Sequence, residues 1–162
     1  MKNALLIAGA ACLAFAQPSF ALEIEDEKVL VLACLEQMDN ETTWNQCLNL
    51  MFQPCVGEVV GSDGHVACLK DERIEWGKVA EKLQREVSAA VTAKGNTQLA
   101  EIMGSWTGII VQNCADVGAS RQATGSESAR LGCEISEMVG LSGELAACLE
   151  GRSTAEYCAF KE

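Results

Sequence analysis

The feature that most constrains this chain is the placement of its cysteines. Cys34, Cys47, Cys55, Cys68, Cys114, Cys133, Cys148 and Cys158 follow an apolar leader, and no two are closer than eight residues. Zinc sites draw on close pairs such as C-x-x-C or on cysteine with histidine. Here the sole histidine is His65, so the spacing points away from a metal. An even number of cysteines in an exported chain predicts disulfides, and all eight are assigned to bridges rather than to nucleophiles.

Export itself is read from the first residues. Lys2 supplies the positive start, Leu5 to Phe15 an apolar run, and Ser19-Phe20-Ala21 a small-x-small cleavage site. The run is too short to cross a bilayer, which takes roughly 20 apolar residues. Cleavage after Ala21 is expected, giving residues 1–21 as signal peptide and a periplasmic or secreted product of 141 of the 162 residues. Cys12 leaves with the signal. Its early position after Gly-Ala-Ala argues against acylation there.

The rest of the chain carries apolar residues at helical spacing, and no stretch alternates at period two. Glu23 to Met38 opens with acids, as a helix N-terminus favours. Thr43 and Gln46 fit a capping box ahead of Trp44, Leu48 and Met51, and Pro54 with the run GEVVGSDG ends that segment. Leu69, Arg73, Trp76, Ala80, Leu83, Val87 and Ala90 mark one face of a helix of about 25 residues. Glu81 and Arg85 lie off that face, four apart in the favourable order. Lys94-Gly95-Asn96 is expected to end it. A fourth helix carries Leu99, Ile102, Met103, Trp106, Ile109, Ile110, Cys114 and Val117. After a loop at Gly118–Gly125, Thr124 and Glu127 cap a fifth, with Leu131, Ile135, Met138, Leu145 and Leu149 on its stripe. Gly140 and Gly143 each cost roughly 1 kcal/mol in a helix interior, so a kink is expected near Leu141-Ser142. The fold class is all-α, a disulfide-bridged bundle of about five helices built from antiparallel hairpins. Residues 22–60 form an N-terminal bridged hairpin packing on a main bundle, residues 61–162, in one compact domain.

Eight cysteines allow about a hundred pairings. The turns narrow them. Cys34 and Cys47 stand symmetrically about Asn40, Cys55 and Cys68 about Gly61-Ser62. Cys114 and Cys133 flank the Gly118–Gly125 loop, and Cys148 and Cys158 flank Gly151-Arg152-Ser153. Positions equidistant from a hairpin turn come within the ~6 Å between Cα atoms that a bridge needs. Neighbour pairing follows: 34–47, 55–68, 114–133 and 148–158. The alternative nests the first four as 34–68 and 47–55.

Charge sets the partners. With 12 basic and 23 acidic residues the net charge is −11, and loss of Lys2 takes it to −12. Such a surface repels nucleic acid and anionic lipid and steers cationic proteins toward it. Catalytic chemistry has little to stand on, and no catalytic residue, metal or cofactor is assigned. His65 reads as a surface imidazole near a helix start. Asp71, Glu72 and Glu75 form a solvated face. No serine sits in G-x-S-x-G, and Gly57, Gly61 and Gly64 precede no G-K-[ST].

Three pieces of sequence carry a resemblance. They are Cys68-Leu-Lys-Asp-Glu72-Arg-Ile-Glu-Trp76, then Trp106 followed at eight residues by Cys114, then Gly125-Ser126 ahead of Cys133. Over roughly residues 34–149 the chain resembles the lysozyme-inhibitor LprI-like N-terminal domain family, with Glu72, Trp76, Trp106, Cys114 and Cys133 at the motif positions. Where that family is polar between tryptophan and cysteine, this chain holds Ile109, Ile110 and Val111. The resemblance implies an envelope binding protein, at its most specific an inhibitor that blocks the lysozyme cleft. The Gly118–Gly125 loop, with Arg121, is the expected contact. The alternatives are a periplasmic assembly protein binding partners through apolar helix faces and, more remotely, an envelope hydrolase. The stretch SWTGIIVQNC divides these readings. As a core helix, Ile109 and Cys114 point inward. As a docking face, Ile110 and Val111 are exposed.

Overall fold

A computed structural model describes residues 26–36, 46–47, 49–121 and 123–160. The leader, the turn at Asn40, Trp44, Leu48 and the Thr43 half of the first capping box lie outside the described residues, as does the side chain of Thr124. The chain is all-α, and among the described residues there is no strand, only an isolated bridge between Val91 and Phe160. Helix α1 (Asp26–Glu36) is followed by a short helical stretch, α2, holding residues 46–47 and 49–51. Three long helices follow: α3 (Asp63–Ala90), α4 (Ala93–Ala119) and α5 (Ala123–Leu149). Single turns of 3-10 helix stand at Gln53–Cys55 and Glu156–Cys158.

The long helices run up, down and up, so α3 and α5 are parallel. Ser62 starts α3 by accepting the amide of His65 at 3.2 Å, and Thr92 starts α4 by accepting that of Gly95 at 3.2 Å. Each satisfies one of the donors a helix N-terminus leaves open. The α3–α4 turn is therefore Val91-Thr92, and Lys94-Gly95-Asn96 is the first turn of α4 rather than the end of α3. The C-terminal tail fixes that turn. Ala159 accepts the Thr92 amide at 2.8 Å, and a Cβ at Gly95 would stand 2.7 Å from the Tyr157 carbonyl. Only a glycine lets the tail lie so close.

Packing is densest between α3 and α5, and next between α4 and α5. Leu69, Trp76, Leu83 and Val87 of α3 meet Leu131, Ile135, Val139 and Leu145 of α5. Leu99 joins them from α4, Val31 and Leu32 from α1, and Met51 from α2. This core overrules the expected break in α5, which is one helix from Ala123 to Leu149. Val139, Leu145 and Ala146 are buried around the two glycines, and Ser142, fully buried, returns its hydroxyl to the Met138 carbonyl at 2.8 Å. Burying side chains of that size is worth roughly 1.5–3 kcal/mol each, which exceeds the glycine cost.

All four neighbour bridges form. Their Cα separations are 5.6, 5.7, 5.5 and 5.4 Å for 34–47, 55–68, 114–133 and 148–158. The nested alternative is excluded. Bridges of this number belong to an oxidising compartment outside the cytosol. Among the described residues no helix is long and apolar enough to cross a membrane.

Candidate functional site

The expected contact loop at Gly118–Gly125 is not a loop. Helix α4 runs to Ala119 and α5 begins at Ala123. The turn closes on itself, the Ser120 amide reaching Asp116 at 3.0 Å and the Arg121 amide reaching Gly118 at 3.1 Å. Arg121 is exposed on it.

A different segment protrudes. Between Cys55 and Cys68 the chain leaves its 3-10 turn, passes Val56 to Val60 and enters α3 through Ser62. Val56, Val59 and Val60 are 78, 75 and 76 % exposed. Gly57 and Gly61, at φ 109° and 86°, make the two reversals that L side chains resist. Ser62 donates its amide to Val59 at 2.9 Å, so the second reversal is hydrogen-bonded. Exposing three β-branched apolar side chains forgoes the burial that folding otherwise seeks. The loop is pinned at both ends, apolar at its tip, and acidic at Glu58. Its sequence signal, valines beside turn glycines inside a Cys-x12-Cys interval, reads equally as a helix break.

The motif positions fall into the scaffold. Glu72 and Trp76 lie on the inner face of α3, and Cys114 and Cys133 tie α4 to α5. Glu72 does not belong to the solvated face expected with Asp71 and Glu75: it is ion-paired with Lys28 of α1, both nearly buried, and the Lys28 ammonium lies 4.9 Å from the Trp76 ring centroid. Trp106 is half-buried on α4. Within SWTGIIVQNC, Ile110 and Cys114 are buried, whereas Ile109 and Val111 are each 58 % exposed. Ile109 therefore does not point inward as expected. Helix α4 packs mainly on α5 and, near its start, on the Glu156–Cys158 turn, and no charged residue occurs from Ile102 to Ala115.

Polar groups converge on the α3–α5 interface. His65 Nδ1 is 3.0 Å from Ser128 Oγ. His65 is thus half-buried and tied to α5, rather than a free surface imidazole. The pair spans nucleophile–base distance, yet Ser128 is buried, and among the described residues no carboxylate orients the other ring nitrogen. Further along, the buried Glu134 takes Arg73 Nε from α3 and Arg130 Nη1 from its own helix. Arg130 also forks onto Glu127, Nε at 2.9 Å and Nη2 at 2.7 Å. That bidentate contact holds the Glu127 carboxyl below its usual range and raises Arg130 above its own. The two contacts between α3 and α5, His65 with Ser128 and Arg73 with Glu134, join residues 63 and 61 positions apart, beyond the reach of local spacing. Among the described residues no cluster of three or more His, Cys, Asp or Glu is placed to hold a metal ion.

No family model, curated protein or solved structure matches the chain.

Proposed function

We propose that the chain is an exported binding protein of the cell envelope, periplasmic or secreted, of the LprI-like kind, and at its most specific an inhibitor of lysozyme. The observation that carries this reading is the exposed Val56–Val60 loop on a scaffold whose eight described cysteines are engaged in bridges. Pre-ordered loops bind with little further loss of conformational entropy. A net charge of −12 for the mature chain steers cationic partners toward it, and common animal lysozymes are cationic. The valines then supply the apolar contact that surface charge cannot.

The test is a titration of the purified mature protein against lysozyme-catalysed lysis of cell walls at low salt. Inhibition near equimolar protein supports the reading. Full lytic activity at tenfold molar excess removes lysozyme as the partner.

A second reading has its own observation. The uncharged, half-open flank of α4, with Ile102, Ile109 and Val111 exposed, suits an assembly protein that docks partner helices. Light scattering across concentration addresses self-association on that face, and a strict monomer argues against it.

A further inference from the structure

The mature chain holds half as many cations as acids, so a place where three cations converge calls for a reason. Lys70 and Arg73 of α3 and Arg130 of α5 line one cleft of about 400 Å³ together with Ile74 and Leu131. That volume falls within the range of small-molecule sites, roughly 300–1,000 Å³. Its walls are divided. One side is cationic. The other is apolar, and Ile74 stands 51 % exposed there without a packing partner that buries it.

The cations are held in place from below. Glu134 is 4 % exposed and receives both Arg73 and Arg130. A buried carboxylate under two guanidiniums fixes their positions before anything binds, as a preorganised site requires. Arg130 gives Nε and Nη2 to Glu127 and Nη1 to Glu134, which holds its plane fixed. Arg73 commits only Nε to Glu134, which leaves its terminal nitrogens to serve another acceptor. Lys70 is exposed at the rim. Three cations against Glu127 and Glu134 leave the cleft one positive charge in excess, on a chain that is otherwise strongly acidic.

We propose that this cleft binds a small amphiphilic carboxylate, with its head on Lys70 and Arg73 and its alkyl body against Ile74, under which Leu131 is packed into the core. The site is independent of the valine loop and of any lysozyme binding. Charge-assisted hydrogen bonds orient the head, and each methylene buried along the apolar wall tightens binding by roughly two- to four-fold.

Calorimetric titration of the intact mature chain at low salt with octanoate, butanoate, octanol and inorganic phosphate tests this. Expected is one saturable octanoate site, weaker for butanoate and absent for octanol and phosphate. Lys70→Ala, at an exposed position, keeps the circular dichroism melting curve and weakens octanoate about tenfold. Arg73→Gln weakens it further but also loosens the Glu134 contact, so Lys70→Ala is the deciding variant. The proposal is overturned by no saturable octanoate binding at millimolar concentration. Octanol or phosphate binding as tightly as octanoate, or an unchanged affinity in Lys70→Ala, also overturns it.

Discussion

The ammonium of Lys28 lies 4.9 Å from the centroid of the Trp76 ring and is paired with Glu72 one helical turn before that tryptophan. Lys28 is 4 % exposed and Glu72 6 %. One residue of α1 thus answers both the charge and the ring face that α3 presents inward. Removing one member of a buried pair strands the other's charge, which costs about 3–5 kcal/mol. Lys28→Ala should therefore lower unfolding stability in urea by about 3 kcal/mol. Lys28→Met combined with Glu72→Leu strands no charge and should recover most of that loss. A double variant as unstable as Lys28→Ala would show that the contact with Trp76, and not the ion pair, holds α1 in place.

Each bridge constrains its loop in the unfolded chain by roughly 3 kcal/mol. The pair joining α4 to α5 is the informative one, because besides Cys114 the helix buries only Gly95, Leu99, Ile110 and Gly118. Replacing Cys114 and Cys133 by alanine should lower the melting temperature and free α4 first, visible as early loss of amide protection from Ile109 to Val117. Uniform loss across α3 and α5 would mean that α4 does not open separately.

Legibility followed the range over which each interaction acts. The α3 stripe was readable because Leu69, Trp76, Ala80, Leu83 and Val87 repeat at helical spacing and are all buried. The pairings were readable because each bridge joins neighbouring cysteines, 10 to 19 positions apart. The α5 kink was misread because glycine propensity is local, whereas the burial of Val139 and Leu145 that opposes it is tertiary. The end of α3 was misplaced for a similar reason: Thr92 caps α4 while Ala159, from the far end of the chain, accepts its amide. Lys28 on Glu72, and Arg73 on Glu134, join residues 44 and 61 positions apart. No periodicity encodes such encounters.

The valine loop can be tested apart from the fold. Val59→Asp with Val60→Asp removes apolar contact at positions about three-quarters exposed. Surface changes of this kind usually stay within about 0.5 kcal/mol. The melting temperature should hold while inhibition of lysozyme, where the parent shows it, falls at least tenfold. Gly57→Ala should behave oppositely, costing about 1 kcal/mol through its φ of 109°. Undiminished inhibition by the double aspartate variant would move the contact elsewhere on the surface.

Tyr157 offers a measurement that needs no partner, since it is the sole tyrosine in the chain. Burial, and then the neighbouring Glu144 carboxylate, push its hydroxyl up to about 12 from an ordinary value of 10.0. The neutral phenol is the favoured form, so the folded state holds its proton over a range where the unfolded chain has lost it. The associated stability is complete below pH 10 and is lost as pH rises from there toward 12. Absorbance of tyrosinate at high pH should therefore rise with a midpoint about 2 units above that of the urea-unfolded chain. Glu144→Gln removes the negative charge beside the ring and should bring the folded midpoint down, with burial keeping it above 10. A folded midpoint equal to the unfolded one would mean that the tail from Ala155 to Phe160 does not stay docked against the α3–α4 turn in alkali.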